Sequence, residues 1–129
     1  EEYENVWMVK GKRNVSNGLN RYLAEGIGYV FETEEGHFKE IIQEFAEKTQ
    51  IAPDVLEAAY KKRELDLPEL DTYFTHDRSL RESGHDTSNR LVNKCAQLNT
   101  VDLNALLYKY EVDFAEIIAT YFKGEFTTN

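Results

Sequence analysis

The stretch from Val101 to Lys123 constrains this chain more than any other. Leu103, Leu106, Leu107, Tyr110, Phe114, Ile117, Ile118 and Tyr121 keep one face apolar for about six turns at roughly 3.6 residues per turn. Asn99 or Thr100 can cap its start and Gly124 can end it. A one-sided helix of this length must bury its stripe against other helices, so the sequence predicts helix-on-helix packing.

The rest of the chain agrees. Phe38, Ile41, Ile42 and Phe45 follow i, i+3, i+4, i+7 and predict a helix from Glu35 to Lys48. Pro53 suits the first position of a second helix, which runs to about Arg63 with Leu56, Ala59 and Tyr60 as its stripe. Leu65 to Pro68 read as a connector, and a third helix is expected from Glu69 to Leu80, breaking at Gly84. Glu2 to Met8 read as the end of a helix, with Tyr3, Val6 and Trp7 on one side. Gly11 to Gly28 form the irregular part, with a turn at Asn17-Gly18. Strand character is weak and confined to Tyr29-Val30-Phe31. The class is all-α, with about five helices and an irregular N-terminal loop.

Composition narrows the function. A net charge of -9 argues against an electrostatic grip on nucleic acid. One cysteine, Cys95, excludes an internal disulfide framework and points to a reducing, cytoplasmic setting. No apolar run has membrane-spanning length. The chain opens on Glu1 with a helical pattern already running, as expected of a piece of a longer protein.

The densest polar cluster is His76-Asp77-Arg78 followed by Arg81-Glu82-Ser83-Gly84-His85-Asp86-Thr87. A glycine there ends the helix and brings acidic and basic side chains together at a helix–loop junction, a natural place for a pocket. From the residues alone, the cluster reads first as a capped helix end stitched by salt bridges, in which Arg81 pairs with Glu82 or Asp77.

The run His76 to Thr87 resembles the acid-bearing motif of neutral trehalases. Thr100-Val101-Asp102-Leu103-Asn104-Ala105-Leu106-Leu107-Tyr108-Lys109-Tyr110-Glu111 follows at that family's spacing. Upstream, Glu25-Gly26-Ile27-Gly28, Glu32-Thr33-Glu34 and His37-Phe38 resemble its sugar-binding loop in the same order. The resemblance implies part of an (α/α)6 toroid, residues 1–129 being a fragment of the catalytic domain. It also implies hydrolysis of α,α-trehalose to two glucoses with inversion, without metal or other cofactor. Such enzymes pair an acid with a base that activates water, about 6.5–9.5 Å apart. By motif position Asp86 is the general acid, and its pKa would have to be raised for it to hold a proton near neutrality. Arg81 would donate to sugar hydroxyls, Gly84 would offer a backbone contact, and Glu25 would accept from hydroxyls.

The chain departs from that pattern. Leu23-Ala24 stand where the family usually has Arg-Pro, and leucine replaces neither the charge nor the donors of arginine. The family's Pro-Gly-Gly-Arg and Gln-Trp-Asp segments and its later glutamate base are absent, so the isolated chain is expected to hydrolyse nothing. Its apolar stripes are expected to leave exposed patches and to promote self-association. Two other readings compete. One is a non-catalytic, degenerate trehalase-like helical module. The other is a metal-dependent phosphohydrolase using His37, His76-Asp77 and Asp113. Tyr108, Tyr110 and Tyr121, at helical spacing, are expected in the core rather than on a sugar-stacking platform.

Overall fold

The structure, a computed structural model, describes residues 18–24, 26–31, 34–85 and 87–122. Its elements are α1 (Lys39–Thr49), α2 (Pro53–Lys61), α3 (Pro68–Ser83), a 3-10 turn at Cys95–Gln97, and α4 (Val101–Tyr121). The chain divides into two compact units, residues 23–96 and residues 1–22 with 97–129. The expected helix at Glu2 to Met8 lies outside the described residues, as does Gly124.

In the first of these units, local chemistry sets each boundary. α1 starts four residues later than the stripe suggests because Gly36 adopts φ +77 and the amides of His37 and Lys39 close turns on Glu34 and Gly36. α2 starts on Pro53 and closes where Arg63 turns left-handed at φ 60, its amide donating to the Tyr60 carbonyl at 2.9 Å. α3 takes Pro68 as its first residue rather than leaving it in the connector, because a missing N–H costs nothing there. It runs past Leu80 to Ser83. Its end is set by Gly84, whose φ of +71 and amide bond to the Arg81 carbonyl at 3.2 Å cap the helix.

The core of this unit joins Phe38, Ile42, Phe45 and Ala46 of α1 with Leu56 and Tyr60 of α2, Leu70 and Phe74 of α3, and Val30. Phe74 is its centre, with the rings of Phe38, Tyr29, Tyr73 and Tyr60 at 4.9, 5.0, 5.4 and 5.7 Å. The buried Tyr60 hydroxyl donates to Asp71 at 2.6 Å, and Arg63 reaches the same carboxylate oxygen at 2.7 Å.

No strand occurs among the described residues, so the weak strand signal at Tyr29-Val30-Phe31 is not realised. The physical reason lies in the acceptors. The carbonyls of Gly26, Gly28 and Phe31 go to arginine side chains rather than to a ladder, and Gly28 sits at φ +85.

In the other unit, the start of α4 is stitched to Asn20. The Asn20 amide donates to Asn104 Oδ1, and Asn104 Nδ2 donates to the Asn20 carbonyl, both at 2.9 Å. Asn99 adds a bond to the same carbonyl at 3.0 Å. Thr100 is the N-cap by position, without a side-chain bond. Leu103 and Leu107 are buried, but Tyr108 is 72% and Tyr121 76% exposed, contrary to the expectation that they lie in the core. Tyr108 sits beside the Leu103–Leu107 stripe rather than on it, and the second half of the helix leaves Phe114 and Ile117 exposed too. Among the described residues no helix is long and apolar enough to cross a membrane.

Candidate functional site

The cluster of polar residues flagged by the sequence falls on the last two turns of α3. Leu70 and Phe74 put the helix on the core, and the next positions on that face, at i+3, i+4 and i+7 from Phe74, are Asp77, Arg78 and Arg81. A stripe that begins apolar therefore ends charged while still partly buried.

Arg81 and Asp77 form an ion pair at 2.9 Å between Nε and Oδ2, with their side chains 28% and 13% exposed. The same guanidinium donates through Nη1 to the Phe31 carbonyl at 3.0 Å and lies 5.4 Å over the Phe38 ring. Burial raises the Asp77 pKa above the usual carboxylate range, outweighing the opposing pull of Arg81, His37 and Arg78. Both side chains line a cavity of about 620 Å³, with Glu34, His37, Tyr73 and Asn93 also on its wall. That volume is in the range of small-ligand sites. Leu80 and Val92 complete the wall, which thus combines apolar surface and the aromatic face of Tyr73 with one guanidinium, two carboxylates and an amide, a mixture that can pack a ring and bond its hydroxyls.

Arg78, the neighbour on the same face, turns to the glycine loop. Its Nη2 donates to the Gly26 carbonyl and its Nη1 to the Gly28 carbonyl, each at 2.7 Å. The sequence singled out Arg78 only as part of the cluster. The signal that could have found its role is the charged break in an apolar stripe. Leu23-Ala24 also has a local consequence. The Ala24 amide donates to the buried Ser79 hydroxyl at 3.2 Å, a bond that a proline at this position could not make.

Of the four expected site residues, two lie outside the described residues, Glu25 and Asp86. Arg81 lines the cavity and takes the partner Asp77 that the plain helix-end reading allowed. Gly84 is the exposed cap of α3, where a Cβ would meet nothing within 4 Å; its backbone, not crowding, demands glycine. His76 is buried and accepts the Ala96 amide on Nδ1 at 3.2 Å, which makes it a structural acceptor. Asp113 is held by Lys109 Nζ at 2.6 and 2.8 Å. Among the described residues no group of three or more His, Cys, Asp or Glu is arranged to hold a metal ion, and the phosphohydrolase order gains no cluster from the fold.

A family model described as Trehalase matches residues 1–128. The cytosolic neutral trehalase of Emericella nidulans is 50% identical over 125 residues, covering 97% of this chain and 17% of that protein. The probable trehalase of Eremothecium gossypii is 47% identical over 127 residues, with 98% and 17% covered. Among solved structures, the neutral trehalase of Saccharomyces cerevisiae matches with a TM-score of 0.85 at 41% identity, covering 95% of this chain and 22% of that one. The all-α class and the helical toroid architecture read from the sequence are those of this match. The chain spans only 17% of the length of these curated relatives.

Proposed function

The chain belongs to the trehalase family, and from that premise we propose that it is the acid-bearing segment of a cytoplasmic, inverting α,α-trehalase that releases two glucose molecules. The relatives named cytosolic neutral trehalase support both the substrate and the compartment. The observation that carries the reading is the position of Arg81. Its guanidinium lines a cavity of sugar-binding size, and Asp86 follows it by five residues in the sequence.

In this reading one glucose unit enters the cavity. Arg81, already oriented by Asp77 and the Phe31 carbonyl, donates to its hydroxyls, while Glu25 accepts from others. Gly84 leaves open space for close backbone approach. Asp86 protonates the glycosidic oxygen as the bond to the anomeric carbon breaks. Water, activated by a carboxylate from beyond this chain, adds to the opposite face.

The test is a chimera in which the matched segment of the Emericella nidulans enzyme is replaced by this chain. It is expected to hydrolyse trehalose, and Asp86→Asn is expected to lower kcat by about 10²–10⁴-fold. A chimera that folds but does not turn over trehalose favours instead the degenerate, non-catalytic module, for which Leu23 in place of an arginine is the specific observation. Undiminished turnover with Asp86→Asn removes the acid assignment. The 129-residue chain alone is expected to be inactive.

A further inference from the structure

We propose that Arg78 is a positioning residue that holds the glycine loop, from Gly26 to Gly28, against α3. The geometry is a fork. Two nitrogens of one planar guanidinium meet two carbonyls two residues apart in sequence, Gly26 and Gly28, each at 2.7 Å. Charge-assisted bonds of this length are short and directional, and a lysine could not make both at once.

The loop needs such a holder. Gly26 and Gly28 adopt φ +116 and +85, conformations that glycine reaches freely but also leaves freely. The carbonyls that would otherwise lock it into a sheet have no strand partner here. Arg78 instead fixes the peptide planes after residues 26 and 28, next in sequence to Glu25. The space is matched: a Cβ at Gly26 would stand 3.6 Å from Arg78 Nε, and one at Gly28 would press to 3.0 Å on Arg63 Nη1.

The arginine is not explained by its own stability. Burial works against its charge, and its Nε is buried without a hydrogen-bond partner. Arg81, one turn further along α3, holds the same segment again at the Phe31 carbonyl, at 3.0 Å. One helix face thus carries both a wall residue of the cavity and the clamp on the glycine loop.

The proposal rests on the role given to Glu25 above, so two measurements separate the clamp from that reading. In the 129-residue chain, Arg78→Ala is expected to lower ¹⁵N order parameters across residues 26–31 from about 0.85 to below about 0.6, with α1 and α2 unchanged. Arg78→Lys should recover part of the loss. Order parameters that stay rigid in Arg78→Ala overturn the clamp. In the chimera, Arg78→Ala is expected to raise KM at least about tenfold with a smaller change in kcat, while adding little to the KM already raised by Glu25→Gln. Fully additive effects of the two substitutions overturn the positioning role, because a merely structural arginine would act independently of Glu25. If the unsubstituted chimera is inactive, the trehalase reading falls and the order parameters alone decide the clamp.

Discussion

Replacing Asp77 by asparagine separates stability from binding at this site. Removing one partner of a buried ion pair ordinarily costs about 3–5 kcal/mol, because the other charge is left uncompensated. Three observations argue for much less here. Arg81 keeps its bond to the Phe31 carbonyl and its place over the Phe38 ring, and its side chain is 28% exposed. The folded-state pKa of Asp77 is raised above 3.8, mainly by burial. A raised carboxylate pKa means that folding favours the protonated form, so ionisation detracts from stability. This penalty is absent below pH 3.8 and grows as pH rises through the folded pKa. Asparagine keeps the shape and removes the charge, so Asp77→Asn is expected to change unfolding free energy at pH 7 by no more than about 1 kcal/mol in either direction. Urea melts of the 129-residue chain measure it. In the chimera, by contrast, Nε is left with a neutral acceptor in place of a carboxylate, Arg81 is aimed less tightly, and KM for trehalose should rise. A loss above about 3 kcal/mol would show that the pair supports the fold after all, and would refute the claim that Asp77 is kept to aim Arg81.

Four further outcomes follow from the same structure. Phe74→Ala should cost about 3–5 kcal/mol in a urea melt, since a fully buried ring with four aromatic neighbours is removed. Gly84→Ala should cost only about 1 kcal/mol, all of it from the left-handed backbone, because the space around a Cβ is open. Burial lowers the His76 pKa below 6.5, so its neutral form is the folded one. Its contribution is intact above pH 6.5 and is lost as pH falls towards the folded pKa, a slope that His76→Gln should abolish in melts between pH 7.5 and pH 5.5. Sedimentation velocity of the 129-residue chain should show self-association that Ile117→Glu shifts towards monomer, since that residue is 41% exposed beside Phe114 on α4.

The helices were legible because their signals are local and repeated. Four spaced apolar residues located α1, and Pro53 and Gly84 acted as boundaries through backbone chemistry that needs no tertiary context. α1 starts four residues beyond Glu35, its expected first residue, because Gly36 takes a positive φ, which its sequence neighbours do not announce. Pro68 is the first residue of α3 rather than part of the connector, a choice the sequence leaves open because proline serves equally well before a helix and as its first residue. The strand signal at residues 29–31 fails for a tertiary reason, since arginine side chains some fifty residues away take the Gly28 carbonyl just before it and the Phe31 carbonyl at its end. Tyr108 and Tyr121 were placed in the core on periodicity alone. A stripe reports which side a helix would bury, and burial also requires a partner, which the described part of that unit supplies only for the first two turns.

The site was legible to a different depth. Family resemblance pointed to Arg81 and Gly84, yet assigned them roles without showing what holds them. Physics supplies a signal that needs no family. Leu70 and Phe74 fix which face of α3 is buried, and continuing that face by helical spacing runs into Asp77, Arg78 and Arg81. Charges placed where the period demands apolar residues must be compensated, and each of these finds its compensation nearby: Asp77 in Arg81, Arg81 in a carbonyl and a ring, Arg78 in two glycine carbonyls. Such compensation is costly to assemble and adds less stability than leucine would. The position of the break therefore marks where the core face of α3 gives way to the wall of the cavity. It also gives the order of dependence that the chimera can test: the apolar half of α3 sets the helix, the helix sets the three charges, and the charges set the loop.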